Sequence, residues 1–122
     1  MRDWWHWSLG FVAGAAVAGW LSLSCVTSHG QSVPDLIDQA AAEYGVPAWR
    51  MHRVARCESG YFPGAVNPRS GASGVFQWLP STWRSAAPAA GFPGYSPFDA
   101  VANVYTAAHW MARGMWHWWV CR

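Results

Sequence analysis

Between Trp7 and Val26 the chain runs for 20 residues without a formal charge: "WSLGFVAGAAVAGWLSLSCV". That is close to the length of an apolar helix that spans a bilayer, about 20 residues. The stretch is rich in Gly and Ala, so its hydrophobicity is moderate. Three fates compete for it. A cleaved signal peptide would use small residues such as Ser22-Leu-Ser24 before the cut. A lipoprotein signal would end at Cys25, but the leucine lies one place too far upstream. An uncleaved anchor would stay in the membrane. A buried core helix fits less well, because nothing amphipathic marks a solvent face. Export is the reading that follows, with cleavage and anchoring both open. Residues 1–30 are therefore set apart as signal or anchor with a short linker, and residues 31–122 as one domain.

Roughly 90 residues then remain for a folded body, enough for a modest core that a disulfide would help. The chain holds three cysteines, Cys25, Cys57 and Cys121. Two fall in the body and one at the edge of the apolar stretch. The simplest arithmetic pairs Cys57 with Cys121 and leaves Cys25 over. Such a bridge implies an oxidising compartment. Three free thiols in a cytosolic protein are the alternative, and the leader argues against it. The net charge is +2, and every basic side chain is arginine. The arginines are scattered, so no nucleic-acid footprint is expected.

Helical punctuation dominates the body. Ser32-Val-Pro-Asp35 reads as a helix start, with Pro34 in the first turn and Asp35 favouring the N-terminal dipole. Leu36, Ile37, Ala40, Ala41 and Tyr44 form one stripe, and Gly45 stops it. A second helix begins at Pro47, with Met51, Val54, Ala55 and Glu58 along one face, and ends at Gly60 and Pro63. The text from Tyr61 to Val75 is a loop. A short helix is predicted over 76–87, opened near Pro80, and a loop over 88–97. Ser96-Pro-Phe-Asp99 reads as a capping box with Ser96 as N-cap. The helix it opens shows Val101, Val104, Tyr105, Ala108, Met111 and Ala112 on one side, and Gly114 ends it. "MWHWWVCR" then carries Cys121 back to the body. No strand run appears, so the fold is mostly α.

Glu58 sits on the apolar face of its helix, in the last turn. Burial and the partial negative charge of a helix C-terminus both raise a carboxyl pKa. A carboxylic acid kept neutral near pH 6–7 is the proton donor that a glycosidic oxygen needs. Arg53 and Arg56 would reverse the shift if they pointed at it, and a helix-terminal Glu in a surface ion pair is the plainer reading.

The segments "CESGYFPGAVNP", "SGASGVFQWLPSTW", "PFDAVANV" and "GMWHWWVC" resemble the catalytic domain of lytic transglycosylases. These are lysozyme-like enzymes that cleave peptidoglycan. The start and end of the run look most like actinobacterial and actinophage members. The resemblance covers about residues 34–121. It implies a small lysozyme-like helical domain with Glu58 as the catalytic acid and base. It implies that Asn67 faces the sugar, that Gln77 lines the site and that Asn103 matches the asparagine of the later helix. Gly71, Ala72 and Gly74 match the tight turn that lets backbone approach the glycan. The family's Ala-Tyr-Asn motif is absent, which leaves Tyr105, Trp116 or Trp119 for the aromatic role. Val75-Phe76 replaces the commoner Leu-Met.

Acid counting bears on the mechanism. Glycosidases that use water normally need two carboxylates. After Glu58 the next acid is Asp99, which capping a helix would occupy. Asp35, Asp38 and Glu43 fall on the solvated side of the first helix. A lytic transglycosylase needs one carboxyl and gives 1,6-anhydro-MurNAc ends. A muramidase or chitinase of lysozyme type and a catalytically silent glycan-binding protein are the rival readings. The expected partner is the peptidoglycan glycan strand, with membrane attachment through residues 7–26 as an option. A monomer without cofactor is expected. His52, His109 and His117 have no zinc-motif spacing, so no metal is expected. Of the 11 tryptophans, Trp49, Trp83 and Trp110 read as packing residues. Trp78, Trp116, Trp118 and Trp119 are candidates for either cleft or core.

Overall fold

The computed structural model describes residues 30–121. The apolar stretch and Cys25 lie outside the described residues. Among those described, no helix is long and apolar enough to cross a membrane. Four α-helices form the body: α1 (Val33–Tyr44), α2 (Ala48–Ser59), α3 (Pro80–Ala89) and α4 (Ala100–Ala112). A 3-10 turn, Met115–Trp118, follows. The only β pairing among the described residues is two isolated bridges, Val66 with Ser73 and Ser73 with Trp78. The mostly helical architecture expected for a lysozyme-like domain is present.

Local signals placed α1 and α2 correctly. Ser32 caps α1, its Oγ accepting from the Asp35 amide at 3.3 Å. Leu36, Ile37, Ala40 and Ala41 are buried, and Gly45 closes the helix. Pro47 precedes α2, whose Met51, Val54 and Ala55 are buried. Helix α1 packs on α2 and α4, and α4 also meets α3 and the 3-10 turn. The core they enclose holds Ile37, Met51, Val54, Val75, Phe76, Val104 and Met111, each shielded from solvent.

Four expectations are corrected. The third helix opens at Pro80, as expected, but runs through Pro88 to Ala89 rather than stopping at 87. Residues 76–79 cannot begin a helix because Gln77 has φ +52° and Trp78 is paired to Ser73. Next, Asp99 is the N-cap of α4 rather than Ser96: its carboxylate accepts from the Ala102 amide at 2.9 Å. Ser96 Oγ instead accepts from the Phe98 amide two residues on, a local turn that competes with capping. The apolar stripe of α4 is right at Val104, Ala108 and Met111 but wrong at its two ends. Val101 is 45% exposed and Ala112 is exposed, whereas Ala102, Asn103, Thr106 and Ala107 are buried. Helix α4 is central, so its inner face is wide and is filled by small and polar residues that an apolar count overlooks. Last, Trp49 is not a packing residue, being 67% exposed at the start of α2. Trp83 is buried, and Trp110 donates its indole N–H to the Ala86 carbonyl.

Candidate active site

Glu58 lies in the last turn of α2, followed by Ser59 and the capping Gly60. Gly60 adopts φ +61°, a left-handed conformation that glycine takes without penalty, and it turns the chain sharply away from the helix end. The Ser59 hydroxyl donates to the Val75 carbonyl at 2.7 Å, tying the helix end to the 71–78 turn. Cys57, one residue before the carboxylate, is bridged to Cys121, their Cα atoms 5.9 Å apart. The bridge therefore brings the C-terminal segment against α2. The backbone amide of Cys121 hydrogen-bonds the Glu58 carboxyl.

These forces set the proton affinity of Glu58. Burial raises its pKa above the ordinary 4.5, and the Cys121 amide pulls it partway back. Arg56 does not intervene, since its guanidinium lies over the Tyr61 ring, 5.9 Å from the centroid. The net result is a carboxyl that holds its proton more tightly than a solvent-exposed glutamate does.

A cleft of about 570 Å³ opens at this carboxyl. Glu58 and Ser59 line it with the 65–69 loop and Gln77. No second carboxylate lines it among the described residues. Asp35, Asp38, Glu43 and Asp99 are all exposed and lie outside that lining. Asp38 contacts His52 at 2.7 Å, and Glu43 accepts from Tyr105 at 3.0 Å.

The turn opposite the carboxyl is fixed by its own backbone. Gly74 has φ +81°, and a Cβ there would collide with the Asn103 amide nitrogen and the Pro97 carbonyl. Only glycine satisfies both the conformation and the close approach. Asn103, with no solvent exposure, uses its whole side chain on this turn. Its Oδ1 accepts from the Phe76 amide at 2.9 Å, and its Nδ2 donates to the Ser73 and Pro97 carbonyls at 3.2 and 2.7 Å. Gln77 braces the same turn, donating from Nε2 to Ala65 and Gly74 carbonyls at 3.1 and 2.9 Å.

With that geometry in view, the family can be assigned. A family model described as the transglycosylase SLT domain matches residues 35–118. The chain belongs to this family. Probable transglycosylase SceD of Staphylococcus aureus, in strains Newman and USA300, is 48% identical over 58 residues. The match takes in 48% of this chain and 25% of the relative. The chain thus covers about a quarter of the length of these curated relatives. No solved structure matches.

Within this SLT domain the residues named from sequence fall into two groups. Glu58, Asn67 and Gln77 share the cleft. Asn103, Tyr105 and Trp116 do not line it. Asn103 is interior and acts on the turn behind the cleft. Tyr105 packs edge-on against Tyr44 with ring centroids 6.3 Å apart, and burial and Glu43 push its hydroxyl up to about 12. Trp116 lies under Arg50, 4.1 Å from guanidinium carbon to ring centroid. Trp119 is buried, and its indole donates to the Phe76 carbonyl at 2.9 Å. Trp78 and Trp119 meet at 5.3 Å between centroids within the core, and with Trp118, Leu79 and Thr82 they also line a second cleft of about 340 Å³ that shares Gln77. Sequence reasoning missed Arg69, which lines the cleft. The signal was an arginine in "NPRSG", between an asparagine and a glycine that both favour turns.

Proposed function

We propose that this domain cleaves the MurNAc–GlcNAc β-1,4 bond of peptidoglycan without water, using Glu58 alone as acid and then base. One observation carries the reading: a carboxyl of raised proton affinity stands in a cleft of about 570 Å³ that no second carboxylate lines among the described residues. Protonated Glu58 gives its proton to the glycosidic oxygen, and the bond from that oxygen to muramyl C1 breaks. The resulting carboxylate takes the proton of the C6 hydroxyl as O6 bonds to C1. The products are a 4-hydroxyl on the leaving GlcNAc and a 1,6-anhydro-MurNAc end. An intramolecular nucleophile needs no activated water, because proximity replaces it. Hydrolysis would call for a second carboxylate about 5–9.5 Å from the first. Family membership supports the substrate class, and the Cys57–Cys121 bridge supports an oxidising space at the cell envelope.

The test is digestion of purified peptidoglycan by the oxidised protein, with products read by mass spectrometry. Anhydro-muropeptides are expected from the native chain. Glu58→Gln should lose roughly 10²–10⁴-fold in turnover, the worth of a positioned acid–base group. Asp99→Ala should keep the same products and lose about 1 kcal/mol of stability with its cap. Ordinary reducing ends, abolished by Asp99→Ala, would replace this reading with a hydrolase. A folded, oxidised protein that binds glycan and yields no product would leave a binding domain.

A further inference from the structure

Arg69 stands in the Glu58 cleft with no assigned task. Its guanidinium makes no hydrogen bond or ion pair with another described residue. Neither force that sets the Glu58 pKa comes from it, so it is not spent on holding the catalytic carboxyl ionised. Its backbone, by contrast, is closely held. The Asn67 side-chain oxygen accepts from the Arg69 amide at 2.9 Å and from the Ser70 amide at 3.4 Å. The Asn67 amide donates to the Ala72 carbonyl at 2.9 Å, and the Gly71 amide returns to the Asn67 carbonyl at 2.8 Å. A backbone-braced loop thus carries one cationic residue on the cleft wall, alongside Ala65, Val66, Asn67 and Pro68. Such a cation complements an anion on whatever occupies the cleft.

We propose that Arg69 is a specificity residue that pairs with a carboxylate on the lactyl arm of the muramyl sugar. The inference rests on the peptidoglycan reading and deepens it. The muramyl and glucosaminyl rings of the wall differ by the lactyl ether at O3. That arm ends in a carboxylate when bare, and in a peptide bearing carboxylates when substituted. A chitin strand has neither. A guanidinium on this loop therefore favours wall glycan over chitin, and it favours the register that puts a muramyl unit beside it. Guanidinium and carboxylate match as a two-pronged hydrogen-bonded pair. The site is open to solvent, so the preference is modest: exposed pairs are worth about fivefold in affinity at most.

Binding by the full, oxidised chain carrying Glu58→Gln tests this without turnover. Calorimetry at low salt would compare three tetrasaccharides: a β-1,4 N-acetylglucosamine oligomer, wall glycan with bare lactyl groups, and wall glycan with stem peptides. At least one wall glycan should bind about fivefold more tightly than the neutral oligomer. The tighter of the two identifies the carboxylate. Added Arg69→Gln should remove the difference, and Arg69→Lys should restore part of it, since the charge remains without the fork. Raising salt should erode it in the parent. Equal binding of charged and neutral glycans by the parent would overturn the proposal. So would a preference that survives Arg69→Gln, or binding of none of the three. Failure of the native chain to cleave the wall would count against the transglycosylase reading and leave this measurement standing.

Discussion

Two polar side chains flank the cleft and are treated in opposite ways. Asn103 in α4 is sealed from solvent, and each of its polar atoms is matched to a backbone group. Glu58 at the end of α2 is only half-buried and is held by a backbone amide from the far end of the domain. Full satisfaction makes the first a fixed strut, because a buried amide leaves nothing to gain by moving. Partial satisfaction leaves the second exposed to opposing influences, burial raising its proton affinity and the Cys121 amide lowering it. The fold thus concentrates rigidity behind the turn and leaves chemical choice to the carboxyl in front of it.

The comparison can be broken most severely at the disulfide. Chain entropy for a loop with sequence separation 64 gives the Cys57–Cys121 bridge about 4 kcal/mol of stabilisation. Replacing both cysteines by serine should cost that much in a denaturant titration. Turnover of the folded remainder should fall as well, since the amide that meets Glu58 is then untethered. Asn103→Ala attacks the other side. It strands the Phe76 amide and the Pro97 carbonyl and leaves the Ser73 carbonyl with the Trp78 amide alone, and it should cost about 3 kcal/mol. Asp at this position keeps the acceptor for the Phe76 amide but cannot donate to the two carbonyls, so it should not restore the stability of Asn.

The smallest effect is a pH dependence. Native Glu58 holds its proton above the ordinary 4.5. Between that value and the raised one, the native state binds more protons than the unfolded chain. Its contribution to stability is therefore present below 4.5 and is lost as pH rises through the native pKa. Glu58→Gln removes this loss. The variant should gain on the native protein as pH rises from acid to neutral, and the gain should vanish below the ordinary carboxyl range. A constant difference across pH, measured by thermal unfolding, would mean that burial does not govern this group.

How much of this was written in local sequence depends on the range of the forces. Caps and glycine stops act within a turn, so α1 and α2 were legible at Ser32, Gly45, Pro47 and Gly60. Glu58 was legible too, through its place on the apolar face of α2. The capping of α4 was not, because Ser96 and Asp99 are both good caps and the choice depends on what else the 96–99 turn must bond. Pro97 illustrates this, since its carbonyl is engaged by Asn103. The interior place of Asn103 was hidden for a related reason. Its partners lie about 27 and 30 residues upstream, and periodicity treats an asparagine as polar. Trp49 shows the converse: an aromatic at helical spacing carries no statement of which way its helix faces.

The bridge has one more consequence. It joins the residue before the carboxyl to the residue whose amide lowers the carboxyl's pKa. Reduction by an external thiol, two electrons and two protons taken up by the sulfurs, would untether that amide and remove the influence that lowers the Glu58 pKa. Electron count at one residue thereby becomes acidity at the next.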